Sequence, residues 1–479
     1  MTARSPDTPR TFAEVAPLLR LALPIVAGLA ASMVIGVVDT VMIAPLGTVP
    51  LAAASLTGSV LIVLYSGLYG FLSAAGVEVS YRHGAGDASG AGRALGAAVR
   101  LAWIAGAVGG TLMAAAFLAL EPLGQPPEAI EAGRAYWLAM AATLVPFTVL
   151  VGHAQFLNAI DRPWAAAGLQ FATVVLNVPL NYALIWGVGP IPALGLFGAG
   201  VGSLLAGLLG VGIGSVWLRR ARSLAPYRTG RAAVSDGELA CRLARDGLPL
   251  AVGYTGEGAA YAVVGLLLGL FGATALAANQ IVQSVGGLLY MLPLGMSAAV
   301  SIRVGQAVGA GRPERLRPVA KAAILSVATW MLVTAAGLLL GGEAIARALS
   351  TDPEVVALAT AMFVAIAAIQ LADGVQGTAL GALRGAMDFR WPTAFTLGCY
   401  WLFALPLAWV LGVALGGGPI GVLVGYGAGI ALAAAVLPWR FWRLTGGVDP
   451  SDGRASPDGP RGSAGSAASR STPSRVRRA

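Results

Sequence analysis

Three acidic residues, Asp39, Glu257 and Asp373, lie inside long apolar stretches of the chain. An ionised side chain at membrane depth costs several kcal/mol, so such residues are rare and usually functional. Nearly every other charged residue lies in a short loop or in the C-terminal tail. This contrast predicts a membrane transporter whose acidic groups bind and release small cations.

Two of the three acids lie at similar depth in the second half of the chain. Glu257 follows Arg245 by 12 residues, and Asp373 precedes Arg384 by 11 residues. At about 1.5 Å per helical residue, both lie roughly 15–18 Å from the basic loops, near the middle of a bilayer. We predict that they share a proton or a metal cation such as Na⁺. A local hydrogen bond to a neighbouring side chain or backbone group is the alternative for each.

Asp39 predicts a second acidic site in the first half. It follows Arg20 by 19 residues, which places it roughly 28 Å from the basic side, near the opposite face. Asn177 and Asn181 are four residues apart, hence on one face of a helix, and lie at nearly the same depth. A polar patch of Asp39 with these two asparagines would form the site. The alternative is an aspartate at the membrane interface near a helix end.

The composition places these residues in a membrane protein. Of the 479 residues, 57% are hydrophobic and 11% are charged, and the mean hydropathy is +0.76. Soluble proteins carry about 25% charged residues. The net charge of +9 comes from basic residues scattered over many loops and not from one patch with aromatic residues. We therefore expect a lipid bilayer as the surroundings and no nucleic-acid partner.

Twelve stretches are apolar enough to cross a bilayer, which takes about 20 residues of helix. The sequence thus predicts an all-α membrane protein with twelve transmembrane helices in two pseudo-symmetric six-helix bundles. The predicted spans are 15–42, 50–77, 93–119, 130–154, 163–187, 193–218, 247–270, 275–302, 319–341, 353–383, 391–414 and 420–441.

The basic residues sort onto one side of this twelve-span arrangement. Of 31 lysines and arginines, all but Arg134 and Arg347 lie in or near the N-terminal segment, the even-numbered loops or the tail. Loops rich in Lys and Arg stay in the cytoplasm. The pattern predicts a multi-pass protein of the inner (cytoplasmic) cell membrane with both termini in the cytoplasm.

The two halves of the chain repeat each other at an offset of 225 residues. Pro24 matches Pro249, and Gly47 matches Gly272. Because each half has an even number of spans, the repeat is parallel, as in many secondary transporters whose site lies between or within the halves. The predicted organisation is an N-terminal lobe at 12–218, a basic cytoplasmic linker at 219–245, a C-terminal lobe at 246–443 and a disordered cytoplasmic tail at 444–479.

Motifs for chemistry on a bound substrate are missing from the sequence. The phosphate-binding pattern GxxxxGK[ST] does not occur, and neither does a Ser-His-Asp or metal-ligand constellation. We therefore predict that the protein is not an enzyme and has no cofactor. Its energy source would be a gradient of Na⁺ or H⁺ as the coupling ion.

Three stretches resemble the multidrug and toxic compound extrusion (MATE) family, over residues 15 to about 443. They are LALPIVAGLAASMVIGVVDTVMIAPLGT in span one, ALAANQIVQSVGGLLYMLPLGMSAAVSIRVGQAVGAGR through span eight and LADGVQGTALGALRGAMDFRWP through span ten. Glu257 together with Asp373 resembles the NorM-like branch. The resemblance implies a secondary active multidrug efflux antiporter that exports small amphipathic organic cations in exchange for Na⁺ or H⁺. We expect it to act as a monomer.

The resemblance also assigns residues to the cavity. It implies that Gln280 and Tyr290 line a C-lobe cavity near the paired acids and that Ser59 faces the N-lobe cavity. Gln283 lies one turn from Gln280 on span eight. For these glutamines, contact with a ligand and a role in helix packing both stay open.

Other classes of membrane protein fit less well. A flippase for lipid-linked precursors, the main alternative, would need cationic residues inside its cavity for a pyrophosphate group, and no Arg or Lys lies deep in a predicted span. A membrane glycosyltransferase would need loop acids, a metal and a large extramembrane domain. A channel would need a repeated filter motif. The sequence therefore favours a transporter.

Overall fold

The twelve predicted spans form twelve helices, as apolar segments must in a bilayer, where each backbone N–H and C=O needs a partner within the protein. The computed structural model describes residues 11–190, 192–228 and 237–446; the predicted disordered tail from residue 447 onward and residues 229–236 of the predicted linker lie outside this part. The helices are α1 (Val15–Ile43), α2 (Thr48–Gly84), α3 (Ala88–Ala116), α4 (Pro127–Ala159), α5 (Pro163–Trp186), α6 (Gly195–Arg220), α7 (Gly237–Gly269), α8 (Ala273–Gly309), α9 (Leu316–Leu349), α10 (Pro353–Gly385), α11 (Arg390–Ala414) and α12 (Gly418–Gly446).

Helix α7 begins earlier than hydropathy indicates. It starts at Gly237, inside the segment predicted as linker, and its first turns bury Leu239 and Leu243 against α2, α3 and α4. Arg242 and Arg245 share these turns and lower their mean hydropathy, so the apolar face is visible only once the helix is packed. The start of the second half is therefore anchored on the first.

Matching turns support the internal duplication. Gly47 and Gly272 precede α2 and α8 with φ angles of 115° and 93°, and Gly86 and Gly311 follow the same two helices with φ angles of 74° and 64°. Glycine adopts these left-handed angles without the steric cost that a Cβ would bring. Both pairs are separated by the same 225 residues, so the two halves use the same turns at equivalent places.

The two bundles, α1–α6 and α7–α12, are joined at one end of the molecule. We call it the basic end, because Arg82, Arg303 and Arg315 lie there, and call the opposite end the far end. At the basic end, the start of α1 packs into the apolar cluster of the second bundle around Met296, and the start of α7 packs into that of the first bundle around Leu157. At the far end, each apolar cluster contains residues of one bundle only. The bundles therefore separate toward the far end.

Two equivalent glycines allow the closest approach of the bundles. Helices α2 and α8 cross at the basic end, where Gly84 faces the backbone of Gln306 and Gly309 faces the backbone of Tyr81. A Cβ atom on either glycine would overlap a carbonyl oxygen of the other helix. Small residues permit such close backbone contact between membrane helices. Closure of the basic end thus depends on the absence of a side chain at these two positions.

Polar contacts between the bundles add to this closure. Gln306 of α8 donates from Nε2 to the carbonyl oxygen of Ala159 and to Oδ1 of Asp161, both at 3.1 Å. His83 Nε2 lies 3.5 Å from Oδ2 of the same aspartate. Partial burial opposes the charge of Asp161, but the hydrogen bonds from His83 and Gln306 outweigh it and hold the pKa of this carboxyl below its usual range. Asp161 therefore stays ionised near neutral pH as the acceptor that links the bundles.

A buried ion pair ties the start of the chain to the second bundle. Glu14 precedes α1 and is 2% exposed. Its carboxylate pairs with Nη2 of Arg303 at 3.2 Å and with Arg315. One acid thus pairs with two arginines of the second bundle and holds the start of α1 against α8 and the turn before α9.

Replacing Glu14 with glutamine should destabilise the closed basic end. The change leaves Arg303 and Arg315 close together without their shared carboxylate, and removing one partner of a buried ion pair costs about 3–5 kcal/mol. Partial exposure of both arginines reduces the expected loss to about 2–3 kcal/mol. We expect the detergent-solubilised variant to melt at a clearly lower temperature. Glu314→Gln, at an exposed position nearby, is the matched control, and equal melting of Glu14→Gln and the wild type would contradict the role of this pair.

Candidate functional site

The paired acids of the second bundle lie close together in the structure. Glu257 belongs to α7 and Asp373 to α10, and their charges are near enough to interact. The hydroxyl of Tyr290 on α8 lies near Asp373, and that of Tyr400 on α11 lies near Glu257. Four helices of one bundle thus position the two carboxylates and give each a hydroxyl neighbour.

Aromatic rings enclose this acidic pair. The ring centroids of Tyr261 and Tyr426 are 5.3 Å apart, and those of Tyr400 and Tyr426 are 5.8 Å apart. Gln376 donates from Nε2 to the hydroxyl of Tyr400 at 2.6 Å. Tyr400 lies in a π-helical segment of α11, Cys399–Ala404, and such segments often occur at functional sites. The ring hydroxyls are neutral oxygens of the kind that small hard cations accept as ligands.

A cavity of about 270 Å³ lies between the two bundles beside the acids. Ser66 and Tyr69 of α2 line it from the first bundle, and Glu257 and Tyr290 line it from the second. On the side of the basic end, the rings of Tyr69 and Tyr254 meet edge to face at 5.7 Å across the boundary between the bundles. A molecule in this cavity would contact both bundles at once.

The cavity contains a positive charge that the sequence analysis placed in a loop. Arg384 belongs to the last turn of α10, yet it lines the cavity and is only 8% exposed. Its Nη1 donates to the hydroxyl of Tyr254 at 2.8 Å. No Arg or Lys lies deep in a predicted span, yet this arginine, one residue past span ten, brings a positive charge to the cavity. Side chains on a helix lean toward its N-terminus, so a long one in the last turn of α10 reaches back into the bundle.

The predicted polar patch of the first bundle forms around Asp39. Asn181 donates from Nδ2 to Oδ1 of Asp39 at 2.6 Å and to Oδ1 of Asn177 at 3.2 Å. Ser203 of α6 donates to Oδ2 of Asp39 at 3.4 Å and accepts a hydrogen bond from Nδ2 of Asn177 at 3.0 Å. The four side chains thus form a closed ring from α1, α5 and α6, in which Asp39 is half-buried one turn before α1 ends at Ile43.

The sequence analysis missed Ser203 as a member of this ring. Its signal was weak, because a single serine in a span rich in glycine has no polar neighbour one turn away. The preceding residue, Gly202, packs against Asn181 so closely that a Cβ atom would overlap the amide oxygen. That close contact brings α6 within reach of Asp39.

Three predicted cavity residues lie elsewhere. Gln280 and Gln283 of α8 and Ser59 of α2 are exposed and do not line the cavity between the bundles. Ser59 donates to the carbonyl oxygen of Ser55 in its own helix at 2.9 Å. Tyr290 is the member of the predicted lining set that borders the cavity. The roles assigned to the other three stay predictions.

The acidic pair offers two carboxylates to a cation, and a bound cation would need further ligands. Within residues 11–190, 192–228 and 237–446, no group of three or more His, Cys, Asp or Glu residues is arranged so that it could hold a metal ion. A Na⁺ ion at Glu257 and Asp373 would therefore complete its shell with neutral oxygens such as the hydroxyls of Tyr290 and Tyr400, the type of ligand that hard cations accept.

The chain matches a known transporter family in both halves. The model of the MatE family aligns with residues 24–183 and 249–410, one segment in each bundle. The probable multidrug resistance protein NorM of Pseudomonas syringae pv. tomato is 32% identical over 450 residues, covering 91% of this chain and 96% of that protein. The multidrug resistance protein PmpM of Pseudomonas aeruginosa is 32% identical over 449 residues, covering 91% and 92% of the two chains.

A solved structure shares the fold. The Vibrio cholerae MATE transporter VcmN in the bent form superposes with a TM-score of 0.79 and covers 91% of this chain and 97% of its own, at 20% sequence identity. At that identity the likeness extends to the arrangement of twelve helices in two bundles. The family match and the relatives that align over most of their length show more than a shared fold, because they show a shared family.

Proposed function

The chain belongs to the MATE family of membrane transporters, and from this premise we propose that it is a secondary active multidrug efflux antiporter. It exports small amphipathic organic cations and admits Na⁺ or H⁺ in exchange. The observation that carries the proposal is the cavity between the bundles, which has Glu257 in its wall and Asp373 next to it. Carboxylates beside aromatic rings suit an organic cation, because the acids attract its charge and the ring faces contact its apolar body.

The orientation follows from the basic residues. Placing the basic end in the cytoplasm puts both termini there and makes this a multi-pass protein of the inner membrane. The conformation described here is then closed to the cytoplasm by the α2–α8 crossing, and its bundles separate toward the outside. In this state the cavity releases a substrate outward and receives an ion. We expect one chain to suffice, because the cavity is built within a single copy.

Exchange follows from competition for the same charges. An organic cation and a small cation or proton both neutralise Glu257 and Asp373, so binding of one favours release of the other. A ligand shifts a conformational equilibrium only by its differential affinity for the two states. Ion binding from outside therefore drives export if the neutralised pair favours the state that opens to the cytoplasm.

The first bundle supplies a second place for coupling. Asp39 accepts hydrogen bonds from Asn181 and Ser203, which belong to α5 and α6. Protonation would remove the charge that these donors stabilise and weaken the hold of α5 and α6 on α1. Helix α1 also carries Pro24, which cannot donate the usual backbone hydrogen bond, so the helix bends there at reduced cost.

A flippase for lipid-linked precursors is the second candidate, and Arg384 is the observation in its favour, because a pyrophosphate needs a cationic partner. However, Glu257 lines the same cavity with Asp373 next to it, and the two acids outnumber this arginine. Two carboxylates repel a pyrophosphate, which carries several negative charges. The cavity therefore suits a substrate with net positive or balanced charge better.

Inverted membrane vesicles test the proposal and separate the two acidic sites. In such vesicles the lumen corresponds to the outside, so a lumen that is rich in Na⁺ or acidic should drive accumulation of a fluorescent organic cation. We expect the accumulation driven by an acidic lumen to be at least tenfold lower in Asp39→Asn than in the wild type. Any accumulation driven by Na⁺ should persist, because it would depend on Glu257 and Asp373.

The control for this experiment is Thr40→Val. Thr40 is adjacent to Asp39 but donates to the carbonyl oxygen of Gly36 in its own helix at 2.8 Å, so its loss should leave both sites intact. Wild-type coupling and wild-type affinity in Asp39→Asn would show that the aspartate is structural. A wild-type protein that accumulates no cation under either gradient would refute the antiporter itself.

A further inference from the structure

Arg384 is a buried guanidinium with unused hydrogen-bond donors. A guanidinium has five N–H donors and no acceptor. One of them, on Nη1, bonds to the hydroxyl of Tyr254, and the guanidinium carbon lies 4.6 Å from the centroid of that ring. Its Nε is buried and has no hydrogen-bond partner among the described residues. A buried charged donor without a partner is costly, so the group is suited to receive an acceptor from outside the protein.

The surroundings of Arg384 leave room for such an acceptor. No carboxylate of the described chain forms a salt bridge with it, although Glu257 is near enough for the two charges to interact. Both residues line the same cavity of about 270 Å³. The cavity therefore presents a negative group and a positive group to one bound molecule.

The fold does not require an arginine at this place. The turns after α4 and α10 are equivalent, since Asp161 and Met387 are both non-glycine residues with left-handed φ angles of 60° and 62°. Three residues before them lie Asn158 and Arg384. The first bundle ends its helix with a neutral amide at the corresponding position, so the positive charge is particular to the second bundle and to the cavity that it lines.

We propose that Arg384 binds the anionic group of zwitterionic substrates, amphipathic molecules that carry a carboxylate as well as a cation. The cationic part of such a molecule lies toward Glu257, and its carboxylate accepts hydrogen bonds from the free donors of Arg384. Guanidinium and carboxylate match in geometry and form strong charge-assisted pairs. This inference rests on the proposed export of amphipathic cations and extends it to compounds with no net charge. Arg384 is then a specificity-determining residue.

Two dyes that differ in one group test the proposal. Rhodamine 123 is a cation, and rhodamine 110 is the same dye with a free carboxylate in place of the methyl ester. We expect the wild type in inverted vesicles to accumulate both. Arg384→Gln should raise the KM for rhodamine 110 at least tenfold and should not raise that for rhodamine 123. Only the first dye has a group for the guanidinium, whereas the second gains from the loss of a positive charge near Glu257.

Two further variants separate recognition from structure. Arg384→Lys keeps the charge but loses the planar fork of donors, so it should restore rhodamine 110 transport in part. Tyr254→Phe removes the hydroxyl that Arg384 contacts, and it should leave the preference between the dyes in place. An equal loss of both dyes in Arg384→Gln would overturn the proposal in favour of a structural role.

The wild type alone distinguishes failure of this inference from failure of the proposed function. Transport of rhodamine 123 without rhodamine 110 would overturn the role of Arg384 and leave the cation antiporter standing. Transport of neither dye under any gradient would contradict the antiporter itself.

Discussion

Replacing Glu257 with glutamine or Asp373 with asparagine should abolish drug resistance conferred by this protein. Each change keeps the size of the side chain and removes its charge, so the helices should still pack. What is lost is the negative charge beside the cavity, for which the organic cation and the coupling ion compete. Because the two charges interact, removing one also weakens cation binding by the other. We expect the inhibitory concentration of a cationic antibacterial to fall to that of cells with an empty vector.

The matched control is Glu343→Gln. Glu343 lies on α9 and pairs with Arg347 at 2.5 Å, and more than half of its side chain is exposed. The substitution therefore removes the same charge far from the cavity. Membrane abundance and melting temperature should be measured for all variants to show that each reaches the membrane and folds. Full resistance in either Glu257→Gln or Asp373→Asn would remove that residue from the mechanism.

Replacing Gly309 with alanine, which adds one methyl group, should prevent the bundles from closing at the basic end. A Cβ there would overlap the backbone carbonyl of Tyr81, and backbone cannot move aside as the end of a flexible side chain can. In Gly309→Ala the bundles must therefore separate at the basic end. Since alternating access needs both states, transport should fall at least tenfold although no group that binds substrate or ion has changed.

Cysteine labelling reports this opening directly. The two native cysteines, Cys241 and Cys399, are free and can be replaced by serine and alanine, after which Ser66→Cys supplies one reporter in the cavity. We expect a bulky, impermeant maleimide on the basic side to label the cavity in Gly309→Ala and not in the parent.

A second glycine provides the control for Gly309→Ala. At Gly96 on α3 a Cβ atom would meet no atom within 4 Å. Gly96→Ala brings the same gain in helix propensity, about 1 kcal/mol, without the overlap. Transport and protection from the maleimide should both be retained there. Retention of both in Gly309→Ala as well would show that the glycine crossing does not govern closure.

The positions of residues along the helices could be predicted from the sequence. Hydropathy located all twelve helices, because a span must be apolar over about 20 residues whatever packs against it. Spacing from the basic loops placed Glu257 and Asp373 at one depth and Asp39 near Asn181 at another, and the structure brings these residues together as two sites. Depth is a property of one segment and its length, so it needs no knowledge of the neighbouring segments.

The direction in which each side chain points was decided by the tertiary structure. These helices are apolar on most sides, so no polar stripe in the sequence shows which side meets the cavity. Gln280, Gln283 and Ser59 are exposed and do not border the cavity beside Glu257. Ser203 has no polar neighbour in sequence and yet completes the ring around Asp39, because Gly202 lets α6 approach α5.

By itself the sequence determined an all-helical membrane protein with a duplicated six-helix unit, one basic side and acids at two depths. Each of these follows from properties that act along the chain, namely span length, loop charge and repeat offset. Only the tertiary structure decided that Arg384 belongs to the cavity and that the basic end is closed. Both depend on the rotation of a helix about its axis and on contacts between segments distant in sequence, such as Gly309 against Tyr81. The spacing of residues along the chain does not determine either of these.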